Sequence, residues 1–173
     1  MRVRILSYVD LGPVLALATA VVVLAALTSG PALRRGDRRS AMTAAARVLL
    51  AGSVLAVLLL TLTGTGTGVG RSVNVVPLDG LRLSITNLNA SLGVANIVGN
   101  VLLFAPLGAF GVLASRLEAW RVVAAGCTLS VGLESAQYWI GRAADIDDVL
   151  LNTLGAALGA IVAVSVRRSL KVS

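Results

Sequence analysis

A chain of 173 residues with 57% hydrophobic and 13% charged residues carries about half the charge of an ordinary soluble domain, which has roughly 25%. With a mean hydropathy of +0.90 it has more apolar side chain than a water-soluble fold of this size can hide, so a bilayer must supply much of the solvent. The net charge of +7 does not signal nucleic acid. The arginines sit between apolar runs with almost no aromatic interleaving, and the positive-inside rule accounts for them.

Taken in chain order, five segments are apolar enough to cross a bilayer at roughly 17–25 residues per span. They are Leu11 to Ser29, Ala44 to Thr63, Asn96 to Ser115, Val122 to Ile140 and Val149 to Val166. The expected fold is therefore all-α: a polytopic membrane helical bundle of about five transmembrane helices. A Thr-Gly run from Thr63 to Gly70 is too flexible to extend the second span and opens a loop of about thirty residues. The chain divides into a two-span region with an Arg-rich loop (1–70), a three-span core with its preceding loop (71–166) and a basic tail (167–173).

Basic residues set the orientation. With the Arg34–Arg39 loop inside, ten basic residues fall on the cytoplasmic side and five outside, which gives N-outside and C-inside. The first span reads as a retained anchor rather than a cleaved signal, because cleavage would require export of the Arg-rich loop.

No histidine is present, and Cys127 is the single cysteine. This removes the commonest general base, the commonest zinc ligand and any intrachain disulfide. Chemistry must rest on carboxylates, amides, Arg, Tyr and backbone. The first two spans carry no polar stripe beyond Ser53 and read as scaffold. From the third span onward the polar residues fall on faces. Asn96 and Asn100 are four apart; Ser130, Glu134 and Gln137 follow at four and three; Asp145, Asp148, Asn152, Gly155 and Gly159 continue one stripe. At 1.5 Å per residue, Asn100 lies about 6 Å inside its span, and Glu134 and Asn152 roughly 9 Å inside theirs. All three stripes reach the same shallow level on one side, whichever way the protein is inserted.

An intramembrane carboxylate costs on the order of 2.5–3.5 kcal/mol and usually faces a partner inside the bundle. Arg142 is the expected partner of Glu134, with the amides of Asn100, Gln137 and Asn152 filling the remaining lone pairs. Gly155 and Gly159 make a small-xxx-small packing surface, and Pro106 removes a backbone bond in the third span. Asp147 falls off the stripe and reads as a first-turn acid stabilised by the helix dipole. Ser130 is expected to bond its own helix backbone, and Cys127 to be a small core residue.

The ordered set Asn96-x-x-Gly99-Asn100-x-x-x-Phe104-x-Pro106-x-Gly108, Ser130-x-x-x-Glu134-x-x-Gln137 and Arg142-x-x-Asp145-x-x-Asp148-x-x-x-Asn152-x-x-Gly155 resembles the signatures of the VanZ-like family. Asn74-Val-Val-Pro77 is similar to the short element that precedes them. The resemblance covers roughly residues 74 to 160 and implies a multi-pass protein of the bacterial inner membrane, a setting that the Arg-, Ala- and Gly-rich composition also fits. The family's namesake is associated with resistance to the glycopeptide teicoplanin. The resemblance transfers matching positions (Asn100, Glu134, Gln137, Arg142, Asp145, Asp148 and Asn152) and no catalytic role.

The leading functional expectation is an outer-face polar site that binds a cell-envelope lipid or lipid-linked precursor. Glu134 and Asp148 are its candidate acid/base groups. Asn96, Asn100, Gln137, Arg142, Asp145 and Asn152 are its candidate ligand-binding residues. Asp145 and Asp148 are oxygen donors of the kind a hard divalent cation takes, with Asn152 and Glu134 completing the set; Arg142 is the alternative, as a phosphate or carboxylate clamp. The loop from Gly64 to Ala95 would cover the site. Two competing expectations are a non-catalytic accessory protein whose polar cluster only locks helices together, and a small transporter.

Overall fold

The computed structural model describes residues 11–63, 71–86, 90–115 and 117–172. Six helices and two short strands follow in the order α1 (Leu11–Arg34), α2 (Arg38–Leu62), β1 (Ser72–Asn74), α3 (Asp79–Thr86), α4 (Ala90–Ala114), α5 (Ala119–Trp139), β2 (Ala143–Asp145) and α6 (Ile146–Val172). The fold is an all-α bundle; its one sheet is the three-residue parallel pair β1–β2.

Local chemistry fixes the helix ends. At the end of α1 the N–H of Asp37 bonds the carbonyl of Ala32 and the N–H of Gly36 that of Leu33, a Schellman closure in which Gly36 takes φ +76°. The next residue starts the following helix: the Asp37 carboxylate accepts the N–H of Ser40 at 2.9 Å and caps α2. The same closure ends α5, with Gly141 at φ +90° and the N–H groups of Gly141 and Arg142 on the carbonyls of Tyr138 and Gln137. A left-handed turn there sends the chain straight from α5 into β2.

Helices α1, α2, α4 and α6 each contain a stretch long and apolar enough to cross a membrane. Helix α5 is more polar, yet its 21 residues reach about 30 Å, the thickness of a bilayer core. Its terminal tryptophans, Trp120 and Trp139, are both exposed, as interfacial anchors are. Five crossing helices result, and the protein is a multi-pass membrane protein. The third to fifth crossings run longer than their apolar runs alone predict, because α4 begins at Ala90 and α6 extends to Val172.

The α4–α6 pair is the most extensive contact in the molecule, and small residues permit it. A Cβ placed at Gly108 or Gly159 would overlap the carbonyl oxygens of Ala156 and Ala105, and one at Gly155 would overlap that of Val101. Backbone therefore lies on backbone, the contact that small-xxx-small faces allow. Pro106 sits inside α4 without ending it. Beside this seam Val57, Phe104, Leu107, Leu133 and Ala156 make one buried cluster, and Val112, Val122, Ala160 and Ala163 a second toward the opposite end.

That opposite end is basic. Arg47 of α2 donates to the carbonyl of Ala114 at 3.4 Å. Arg167 of α6 donates to those of Val112 and Ser115. Two guanidinium groups thus satisfy the last carbonyls of α4, where the helix dipole favours positive charge.

Candidate functional site

The other end of the bundle carries the polar residues, and the link from α5 to α6 organises them. Strand β2 pairs in parallel with β1 in the register Ser72–Ala143, Val73–Ala144 and Asn74–Asp145. This brings the segment after α2 down onto the α5–α6 corner. The loop expected over the site is thus structured, with a strand and a short helix inside it. Its residues 64–70 and 87–89 lie outside the described ones.

Asp145 is the hub. Its backbone N–H donates to Oε2 of Glu134 at 2.9 Å. Its Oδ1 accepts the Asn74 amide at 3.1 Å and the N–H of Asp147 at 2.9 Å. Gly80 of α3 packs against it so closely that an added Cβ would lie 2.5 Å from Oδ2. Glu134, 7% exposed, is therefore held by a backbone donor and not by Arg142. This corrects the expected ion pair. Arg142 instead donates to the carbonyl of Thr61 at 2.6 Å and closes the last turn of α2. None of the amides of Asn100, Gln137 or Asn152 reaches Glu134. Gln137 is buried and makes no side-chain hydrogen bond among the described residues; its backbone carbonyl accepts the N–H of Arg142.

A second knot joins α4 to α6. Oδ1 of Asp148 accepts the Asn100 amide at 2.5 Å and the Asn96 amide at 3.3 Å. Asp145 and Glu134 lie within electrostatic reach of Asp148, so the two knots form one polar layer. One turn deeper, Asn152 turns to the third helix. Its amide donates to Ser130 at 2.8 Å, and its Oδ1 is buried without a partner. Ser130 is thus an interhelical acceptor, not a backbone bonder of its own helix. With Asn152 directed away, the cation site expected from Asp145, Asp148, Asn152 and Glu134 does not assemble, and among the described residues no three acidic, His or Cys side chains gather as metal ligands.

Asp147 stands in the first turn of α6, as expected, but its side chain serves another element. It is 4% exposed, and its two oxygens accept the N–H groups of Leu78 and Leu81 at 2.5 and 2.9 Å. It caps α3, not its own helix. Leu78, at φ +69°, is held in the left-handed region at this anchor. Sequence periodicity missed Asp147 because it detects shared faces within one helix, and this side chain serves another element. The Asp-x-Asp-Asp run was the available signal: consecutive acids at a helix start point about 100° apart.

Next to the layer lies a groove of about 380 Å³ between the sheet, the last turns of α5 and the first turn of α6. Val73, Val75, Val131, Tyr138, Trp139 and Val149 give it apolar walls, and Glu134 and Asp145 lie in it as well. Arg71 stands at its edge. Its guanidinium lies 5.8 Å from the centre of the Tyr138 ring and donates to the carbonyl of Trp139 at 3.3 Å.

This order of a β1 element, an Asn-bearing helix, a Glu-bearing helix and an Asp-rich corner agrees with a sequence comparison: the model of the VanZ/LLP1 family matches residues 45–167. The chain belongs to the VanZ/LLP1 family. No curated protein and no solved structure matches it. The VanZ/LLP1 match starts inside α2, upstream of the motifs that first suggested it, and takes in Thr61, where Arg142 is bound. Its span thus contains every helix that touches the polar layer.

Proposed function

We propose that this VanZ/LLP1 protein binds an amphiphile of the cell envelope, a lipid or lipid-linked precursor, with its apolar chain in the groove and its polar head against Glu134 and Asp145. The observation that carries the reading is the groove's mixed character. Two carboxylates, with Asn74 and Ser135, line a mainly apolar recess at the depth where a bilayer passes from hydrocarbon to headgroup. Carboxylates in such a place cost solvation and mark ligand sites more often than decoration. With the orientation given by the arginine distribution, this face is the outer one of a bacterial inner membrane.

Asp148 has a different part in this reading. Its partners Asn96 and Asn100 come from the bundle itself, which favours a helix lock between α4 and α6. The cluster thus combines a ligand-facing half, Glu134 and Asp145, with a structural half around Asp148.

Crosslinking in cells with a photoreactive lipid tests the proposal. Labelling should fall on Val131, Ser135 or Trp139 and drop severalfold in Glu134→Gln at equal expression. Labelling spread evenly over all five crossings would refute it. Growth of a deletion strain with and without a teicoplanin-type glycopeptide, complemented by Glu134→Gln, asks whether the same site bears on resistance.

A further inference from the structure

We infer that the groove selects a lipid whose headgroup ends in a primary ammonium, an inference that rests on the amphiphile reading above. The oxygens left over at the site decide the chemistry. Oε2 of Glu134 and Oδ1 of Asp145 are taken by internal donors. Oε1 of Glu134 accepts no hydrogen bond among the described residues, whereas Oδ2 of Asp145 lies against Gly80 of α3. Both residues line the groove, and no Arg or Lys does. The recess therefore offers acceptors and negative charge, and its complement is a cation that carries N–H donors.

Three alternatives fit less well. A bare phosphate or glycerol-phosphate head has only Arg71 at the rim and would bring no N–H donor to the Glu134 carboxylate inside. A quaternary ammonium lacks an N–H group for the free Glu134 oxygen, and its usual receptor is an aromatic cage. Here Tyr138 is already stacked by Arg71, and Trp139 meets Tyr138 edge-on at 6.1 Å. A lipid that joins a primary ammonium to a phosphate satisfies both ends. Its ammonium meets Glu134 and Asp145, its phosphate meets Arg71 at the rim, and one acyl chain lies along Val73, Val131 and Val149.

The protein contains its own reporter. Of its two tryptophans, Trp139 lines the groove and Trp120 sits at the other end of α5. The full chain with Trp120→Phe is placed in phosphatidylcholine nanodiscs, and small fractions of brominated phosphatidylethanolamine, phosphatidylglycerol or phosphatidylcholine are added. Trp139 quenching should show phosphatidylethanolamine enriched about tenfold over the other two, the worth of one charge-assisted hydrogen bond. Ser135→Phe, which fills the groove, should abolish the enrichment. Glu134→Gln should reduce it to about the level of phosphatidylcholine. Preferential quenching by phosphatidylglycerol would overturn the ammonium inference and leave the amphiphile reading in place. Equal quenching by all three lipids at their bulk fractions would overturn both. The comparison among lipids uses no site variant, so it does not depend on how Glu134→Gln folds.

Discussion

The carboxylate of Asp147 accepts the backbone N–H of Leu81 at 2.9 Å across 66 positions of sequence, and this bond decides where α3 sits. With the companion bond from Leu78, it fastens the segment before α4 to the first turn of α6. Asp147→Ala leaves two backbone donors without partners and should cost about 2–4 kcal/mol locally. Hydrogen exchange should show the Leu78 and Leu81 amides losing protection while those in the middle of α4 keep theirs. Asp147→Asn, which keeps one acceptor, should lie between.

The glycines of the α4–α6 seam should not tolerate a methyl group. Gly108→Ala and Gly159→Ala each drive a Cβ into a carbonyl oxygen of the facing helix. Each should lower stability by about 1–3 kcal/mol or more in detergent. Gly132→Ala provides the contrast. Nothing lies within 4 Å of its added Cβ, so the change should be neutral or raise stability by about 0.5–1 kcal/mol through helix propensity. Thermal unfolding of the three variants side by side checks the ordering.

Because Arg142 is bound to Thr61 and Glu134 to the N–H of Asp145, the two side chains share no hydrogen bond and interact only through their charges. A double-mutant cycle with Glu134→Gln and Arg142→Gln should give an interaction energy below about 1 kcal/mol. A coupling well above 1 kcal/mol would mean that the pair is bonded after all. Arg142→Gln alone should loosen the end of α2, visible as faster exchange of the amides that follow Leu58.

Asp37 gives a pH effect outside the crossing segments. Its hydrogen bonds with Ser40 hold its carboxyl below the ordinary value of 3.8. A depressed folded value means that the unfolded chain binds the proton first as pH falls. The cap's contribution is thus complete well above pH 3.8 and lost as pH drops through the depressed value. Wild type should unfold at a higher temperature than Asp37→Ala at neutral pH, and the gap should close in acid. Asp37→Asn, a cap with no charge to lose, should show no such closing.

Helix periodicity made much of this legible. The spacing of Asn96 and Asn100, and the stripe from Asp148 through Gly159, describe faces that do meet: the two amides lie on Asp148, and the glycines lie on the backbone of α4. Such faces are readable because a buried polar or small residue must recur every three or four positions to stay on one side. Partners drawn from other elements were not legible. Thr61 lies 81 residues from Arg142, and a backbone carbonyl carries no signature in its side chain. Strands β1 and β2 have three residues each, too few for an alternating pattern to stand out. Asn74 was visible only as part of a motif, and its bond to Asp145 requires the sheet.

Pairing β1 with β2 and clamping α3 by Asp147 together build a fixed canopy above Glu134. Lifting it would break the strand hydrogen bonds and two bonds to a buried carboxylate at once. For the amphiphile proposed above, the cheaper path to Glu134 is therefore lateral, out of the hydrocarbon and past the exposed side chains of Val131 and Trp139.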